Sequence, residues 1–197
     1  MLRWPSVVLL SSIAAAAIAD DVPNAVQACA VCHGVHGEGT AQGPVLAGLS
    51  ASYISAQVAN FNSRRRSNSL MGPMAEAYAS ADLLQPAAIY FAAQGKPPPM
   101  LQVRGQNLAA TPAEKLYYQG DMARDIPACF SCHGPSAIGG GPFPRLAGQQ
   151  AAYLEAQLHA WRKGERSGDP DGMMAAIAQR LNDKDITALA SYLAAIR

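Results

Sequence analysis

Cys29-Ala-Val-Cys32-His33-Gly34 returns one hundred residues later as Cys129-Phe-Ser-Cys132-His133-Gly134. The same spacing relates Pro44-Val-Leu-Ala-Gly48 to Pro144-Arg-Leu-Ala-Gly148. A third repeated pattern places Tyr, Gln and an aromatic residue four positions apart. Its members are Tyr53, Gln57 and Phe61 in the first copy, and Tyr153, Gln157 and Trp161 in the second. Residues spaced by four share one face of a helix, so the sequence predicts a duplicated helical chain.

The Cys-x-x-Cys-His motif is typical of covalent haem attachment. Its cysteines lie one helical turn apart, so both sulfurs can form thioethers with the vinyl groups of one porphyrin. The histidine then reaches the iron from the same side as a proximal ligand. We therefore predict two covalently bound haems c with His33 and His133 as proximal ligands. The attaching cysteines are Cys29, Cys32, Cys129 and Cys132.

Two other kinds of site use paired cysteines. A structural zinc site has no need of a histidine after each pair, and it would have to join both repeats at one metal. A dithiol redox pair expects a strand-helix context, whereas the flanking segments here are helical and glycine-rich. A thiol oxidoreductase is therefore the more serious alternative to haem. His36 and His159 have no counterpart in the other repeat, which favours ordinary structural roles.

Methionine is the expected sixth ligand of an electron-transfer haem. The candidates are Met71 and Met74 in the first repeat, and Met173 and Met174 in the second. Aligning the repeats backward from the last helix pairs Met71 with Met173. A second count takes the methionine seven residues before the position at which the chain enters the next helix. With Tyr78 and Leu181 at that position, this count selects Met71 and Met174. The residues alone leave this choice open.

The chain divides into a leader, two domains and a linker. Residues 1–19 combine Arg3, an apolar run and Ala-Ile-Ala before Asp20, which predicts a cleaved signal peptide and export to the periplasm. Consecutive prolines at 97–99 mark a stiff linker, assigned to residues 96–110. The domains are then 20–95 and 111–197. No stretch shows sustained strand alternation, so we expect an all-α fold.

Two helix starts in the second domain can be predicted from capping residues. Thr111-Pro-Ala-Glu114 combines a capping residue, a proline at the first helical position and a glutamate that closes a capping box. Asn182-Asp-Lys-Asp185 marks the start of the last helix. That helix carries an apolar stripe of Ile186, Leu189, Leu193 and Ile196.

Composition excludes several classes of protein. The chain has 15 basic and 14 acidic residues among 197, which is too balanced for a nucleic-acid binder. No segment after the leader is apolar enough to span a membrane, although peripheral membrane association stays open. Basic residues recur after the Tyr/Gln helix of each repeat, where they form either a solvated loop or partners for haem carboxylates. They are Arg64, Arg65, Arg66, Arg162, Lys163 and Arg166.

These motifs together resemble the tandem two-haem class I cytochromes c of the cytochrome c4 type, over nearly the whole mature chain. The resemblance implies two tandem class I cytochrome c-like domains, each wrapped around one haem. It also implies that Met71 and Met174 are the axial methionines. In the same way it implies that the Pro44 and Pro144 carbonyls accept the ring N–H of the proximal histidines, which would orient the imidazoles.

The resemblance implies an electron carrier, since histidine and methionine ligands leave no coordination site for a substrate. The expected partners are redox proteins, such as a quinol-oxidising complex and a terminal oxidase. An alternative is a haem subunit of a periplasmic dehydrogenase, for example a flavocytochrome. A third function, peroxidase activity, would require one haem without a methionine ligand.

Overall fold

A computed structural model describes residues 23–95 and 110–196 of the chain. The predicted signal peptide at 1–19, and all but the last residue of the predicted linker, lie outside the described residues. The domain boundaries therefore stay predictions. The described part is helical, with three isolated β-bridges and no strand, which confirms the predicted all-α class. None of its helices has the length and hydropathy needed to cross a bilayer.

The first domain is built from four helices, of which the second and the fourth form the central pair. They are α1 (Asn24–His33), α2 (Ala51–Asn62), α3 (Met71–Ala77) and α4 (Ala81–Ala93). Helix α4 contacts α1 and α2, and α3 contacts α2. Val26, Ile54 and Phe91 meet in a small apolar core. This packing leaves the Cys-x-x-Cys-His motif at the end of a helix that the last helix of the domain supports.

The second domain repeats this arrangement with an interrupted first helix. Its helices are α5 (Pro112–Gln119), α6 (Phe130–His133), α7 (Ala151–Arg162), α8 (Met173–Arg180) and α9 (Asp183–Ala195). Short 3-10 turns cover Met122–Arg124 and Pro170–Gly172. Helix α9 contacts α5 and α7, and α8 contacts α7, just as α4 and α3 pack in the first domain. The duplication seen in the sequence is thus also a duplication of the fold.

Both predicted helix starts in the second domain are confirmed. The Thr111 side chain accepts the Glu114 N–H, and the Glu114 carboxylate accepts the Thr111 N–H, so the capping box is complete. Asn182 and Asp185 form the same reciprocal pair at the start of α9. These caps satisfy backbone donors that a helix cannot satisfy itself. All four residues of the predicted stripe are buried: Ile186, Leu189 and Leu193 lie in α9, and Ile196 directly follows it.

The repeated Pro-x-Leu-Ala-Gly segment ties each motif to the last helix of its domain. The Gly48 N–H donates to the Phe91 carbonyl, and the Gly148 N–H donates to the Leu193 carbonyl, both at 3.0 Å. Gly48 and Gly148 have φ of +74° and +71°, a left-handed conformation that glycine adopts without strain. The segment is therefore fixed at its C-terminal end, and this fixes the preceding proline carbonyl.

The two domains meet through polar groups at the edges of these loops. The Gln149 side chain is buried and bonds both backbone groups of Val45: its Nε2 donates to the carbonyl at 2.9 Å, and its Oε1 accepts the N–H at 3.0 Å. Gln150 Nε2 donates to the Thr40 carbonyl at 2.7 Å. The first domain has Leu49 and Ser50 at the equivalent positions. Neither has a side-chain amide, so these contacts are made only by the second domain to the first.

Replacing Gln149 with alanine should destabilise this contact, because it leaves the Val45 N–H and carbonyl without partners in a partly buried place. We expect the free energy of unfolding to fall by about 2 kcal/mol. Chemical denaturation followed by circular dichroism measures the change. Gln179→Ala on the exposed face of α8 is the control, with an expected change within about 0.5 kcal/mol. An effect of Gln149→Ala no larger than that of the control would show that the contact contributes little.

Candidate functional site

The two domains share one continuous cavity of about 1430 Å³. This volume exceeds the roughly 300–1,000 Å³ that is usual for a single small-molecule site. Residues of both Cys-x-x-Cys-His motifs line it, and these are Cys29, Cys32, His33, Cys129, Cys132 and His133. The cavity therefore has room for more than one bulky group, and both motifs open onto it.

Each motif ends with a helix that stops in a tight turn: the first motif lies wholly within α1, and the second begins at Cys129, the residue before α6. Helix α1 ends at His33 and α6 ends at His133. Gly34 and Gly134 follow with φ of +84° and +78°. Their N–H groups donate to carbonyls of the last helical turn, at 2.9 and 2.8 Å. Glycine permits this abrupt turn, which holds the histidine and both cysteines of a motif within about one turn of chain.

Both histidine rings are held by a proline carbonyl. His33 Nδ1 lies 2.8 Å from the Pro44 oxygen, and His133 Nδ1 lies 2.9 Å from the Pro144 oxygen. A carbonyl oxygen only accepts, so Nδ1 carries the proton in each ring. The other nitrogen, Nε2, is then left with a free lone pair. This is the tautomer that a metal-binding imidazole needs, with its ring orientation set by the backbone.

Burial further favours neutral imidazoles. It lowers the pKa of His33, an effect that the Pro44 carbonyl opposes and that the positive charge of Arg66 reinforces. Burial likewise lowers the pKa of His133, again opposed by its proline carbonyl. Burial thus favours the neutral form of both imidazoles.

Cys29 and Cys129 are partly buried, and both lack the electrostatics of reactive thiols. Burial raises the pKa of Cys29, and it raises the pKa of Cys129 to about 11. Redox-active dithiols and zinc ligands work as thiolates, which a raised pKa disfavours. Within residues 23–95 and 110–196, no three His, Cys, Asp or Glu side chains come together as a metal site. The zinc and dithiol alternatives gain no support from this geometry.

All four candidate methionines line the cavity, at the starts of α3 and α8: Met71, Met74, Met173 and Met174. Two of them have their backbone N–H capped by a side chain of the preceding loop. Asn68 Oδ1 accepts the Met71 N–H at 2.9 Å, and Asp169 Oδ2 accepts the Met174 N–H at 2.7 Å. Cavity lining alone does not separate the members of each pair.

The basic residues that recur in the two repeats divide into two groups. Arg66 and Arg166 line the cavity, and Arg166 is only 4% exposed. Arg162 instead pairs with Asp183 at 2.6 Å, outside the cavity lining. The remaining members are exposed, and these are Arg64, Arg65 and Lys163. Of these recurring basic residues, one from each repeat therefore faces the site.

The polar groups around the cavity fit a haem. Trp161 Nε1 is the one buried side-chain nitrogen or oxygen without a hydrogen-bond partner among the described residues. Trp161 lines the cavity, and the Arg166 guanidinium lies 3.7 Å from the centroid of its indole ring. Buried donors normally have acceptors. The carboxylates of haem are acceptors for such donors, and its porphyrin matches the apolar wall and the paired thiols.

Two histidines stay outside the site, as the repeat comparison predicts. His36 is exposed, and His159 Nδ1 lies 3.0 Å from Arg162 Nη2. Sequence analysis missed the unpartnered N–H of Trp161. The sequence signal is that Trp161 stands where the first repeat has Phe61, which adds one polar atom at an otherwise apolar position.

Comparisons with known proteins agree with this site. The family model of cytochrome c matches residues 20–90 and 103–197. A thiosulfate dehydrogenase electron acceptor of Thiomonas intermedia (strain K12) is 42% identical over 178 residues, which cover 88% of this chain and 80% of the relative. The structure of reduced cytochrome c4 from Pseudomonas stutzeri has a TM-score of 0.73 at 32% identity, with 87% of this chain and 95% of that one covered.

A second solved structure is a larger protein. The thiosulfate dehydrogenase of Marichromatium purpuratum matches with a TM-score of 0.74 at 38% identity. The match covers 86% of this chain but only 36% of that one. The predicted resemblance to tandem cytochromes of the c4 type, with two covalently bound haems c, is confirmed. The chain belongs to the cytochrome c family, as a cytochrome c4-like dihaem electron carrier.

Proposed function

We propose that the protein accepts electrons in the periplasm from a soluble dehydrogenase and passes them, one at a time, to a respiratory acceptor. The observation that carries this proposal is the single cavity lined by both motifs and by methionines of both domains. Each haem iron, when bound, supplies one-electron chemistry by cycling between its ferrous and ferric states. The chain supplies attachment, ligands, water exclusion and a path between the two sites.

In this proposal, four cysteines hold the haems covalently: Cys29, Cys32, Cys129 and Cys132. His33 and His133 are the proximal ligands. The Pro44 and Pro144 carbonyls keep each imidazole in one tautomer and one orientation, and this support increases the basicity of the free nitrogen. The distances of 2.8 and 2.9 Å and the buried rings support these roles.

Met71 and Met174 are the proposed axial methionines. Each stands seven residues before the residue that caps the C-terminus of its helix, Tyr78 for α3 and Leu181 for α8. Each also has its backbone N–H bonded to a capping side chain, which fixes the start of the helix. Met74 and Met173 lack both features, which favours a packing role for them.

The proposed electron donor is a thiosulfate dehydrogenase. Support comes from the relative of Thiomonas intermedia, whose name makes it an electron acceptor of such an enzyme, and from the match to part of the Marichromatium purpuratum enzyme. Transfer between separate proteins requires a weak, transient contact, because the carrier must leave after each electron.

A shuttle between a quinol-oxidising complex and a terminal oxidase is the second candidate. The match to cytochrome c4 favours it, since that match spans 95% of the solved chain rather than a fragment of an enzyme. Both candidates use the same haem sites and differ only in the donor.

Rapid mixing separates the two candidates. The oxidised protein is mixed with thiosulfate and the thiosulfate dehydrogenase of Thiomonas intermedia, and haem reduction is followed by absorbance. We expect reduction that needs both enzyme and thiosulfate. A protein that stays oxidised there, but is reduced by a quinol-oxidising complex and quinol, would be a shuttle and would overturn the dehydrogenase proposal.

Met174→Ala tests the ligand assignment in the second domain. We expect it to remove about half of the long-wavelength absorption of methionine-ligated ferric haem, because only one of two irons loses its thioether. Absorption spectra of the oxidised protein measure this. Met173→Ala is the matched control and should leave the band intact. If Met173→Ala removes the band and Met174→Ala does not, the assignment is reversed.

Cys132→Ala tests covalent attachment. We expect covalently bound haem to fall below two per chain, because attachment in the second domain then depends on the single thioether of Cys129 and is weakened. A denaturing pyridine haemochrome assay counts haem per chain. Ser131→Ala changes the neighbouring motif position, which attachment does not use, and should retain both haems. Unchanged haem content in Cys132→Ala would contradict the thioether role.

A further inference from the structure

The cluster at the centre of the domain interface contains two arginines, Arg66 and Arg166, on equivalent loops. Their backbones pair as an isolated antiparallel β-bridge. Beside this bridge, the Ser167 N–H donates to the Arg65 carbonyl at 2.6 Å. The two loops therefore hold each other at this point, and both guanidinium groups are directed from a fixed backbone.

Each arginine reaches across to the other domain. Arg66 Nη2 donates to Tyr153 Oη at 2.6 Å and to Gln157 Oε1 at 2.9 Å. Arg166 Nη2 donates to Tyr53 Oη and Gln57 Oε1, both at 3.0 Å. The tyrosines and glutamines belong to α2 and α7, and all four line the cavity. The exchange is reciprocal, as in a two-fold symmetric contact.

Each arginine is also held within its own domain. Arg66 Nη1 donates to Gln57 Oε1 at 3.2 Å, and Arg166 Nη1 donates to Gln157 Oε1 at 2.8 Å. Each guanidinium lies over an aromatic ring of its own repeat, Phe61 at 4.6 Å and Trp161 at 3.7 Å. Both glutamine oxygens thus accept from both arginines, and the two charges are fixed relative to both domains.

These two charges have no acidic partner among the described residues. The ion pairs described there involve Arg124 and Arg162, and neither Arg66 nor Arg166 takes part in one. Arg166 is 4% exposed, and Arg66 is partly buried. A buried charge is screened weakly by water and salt, so its field acts over a longer distance than that of a surface charge.

We propose that Arg66 and Arg166 couple the two haem sites, each arginine raising the reduction potential of both haems. The proposal rests on the haem sites assigned above. Oxidation adds one positive charge to a haem, and a fixed cation nearby opposes that change. Because both guanidinium groups line the shared cavity and are anchored on helices of both domains, either charge acts on both sites. The arginines act through their positive charge and do not ligate iron.

The test uses Arg66→Gln and Arg166→Gln in the haem-loaded protein. Each haem is followed separately during a redox titration, through the NMR resonances of its axial methionine. We expect both potentials to shift to more negative values in each variant. The shifts should be larger for Arg166→Gln, because Arg166 is the more deeply buried charge.

Two further variants separate charge from structure. Arg166→Lys keeps the positive charge but loses the planar fork, so both potentials should stay near those of the unmodified protein. Arg162→Gln removes a recurring charge that pairs with Asp183 outside the cavity lining, and it should shift neither potential. If Arg166→Gln does not fold, Arg66→Gln makes the same test from a partly exposed position.

The proposal is wrong if each glutamine variant shifts only the haem of its own domain. It is equally wrong if Arg166→Lys lowers the potentials as much as Arg166→Gln. A haemochrome count on the unmodified protein comes first. Two haems per chain with unshifted potentials in the variants would overturn the coupling alone, whereas fewer than two haems would overturn the proposed sites themselves.

Discussion

A hydrogen bond from a histidine ring to a proline carbonyl holds each domain around its cavity. It joins the end of the motif helix, at His33 or His133, to the loop that carries Pro44 or Pro144. That loop is tied in turn to the last helix of the domain through a glycine N–H. One contact therefore links the first helix, the loop and the last helix, and it also gives the imidazole the tautomer that a metal ligand requires.

Enclosing a large cofactor changes how these domains are stabilised. Each apolar core is small, and the cavity occupies space that side chains fill in other small domains. Covalent attachment suits this design, because a bound porphyrin adds apolar contacts that the chain by itself lacks. The raised pKa of Cys29 and Cys129, which are partly buried, disfavours reactive thiolates at these positions.

Duplication produced an interface whose centre is symmetric and whose edge is not. At the centre, equivalent arginines exchange equivalent tyrosine and glutamine partners, so a contact that suits one repeat also suits the other. At the edge, the Gln149 side chain hydrogen-bonds to the N–H and carbonyl of Val45. The equivalent residue in the first domain is Leu49, which has no polar side chain. The equivalent contacts at the centre and the unequal contacts at the edge together fix how the two domains meet.

The sequence by itself determined the features that depend on short spacings. The Cys-x-x-Cys-His turns, the repeat and the caps at Thr111 and Asn182 follow from neighbouring residues, since local hydrogen bonds and helical periodicity set them. The tertiary structure alone decided which members of each basic run face the cavity, that Arg66 and Arg166 cross between domains, and that the Trp161 N–H lacks a partner. These features depend on how helices distant in sequence pack together, and no local spacing encodes that.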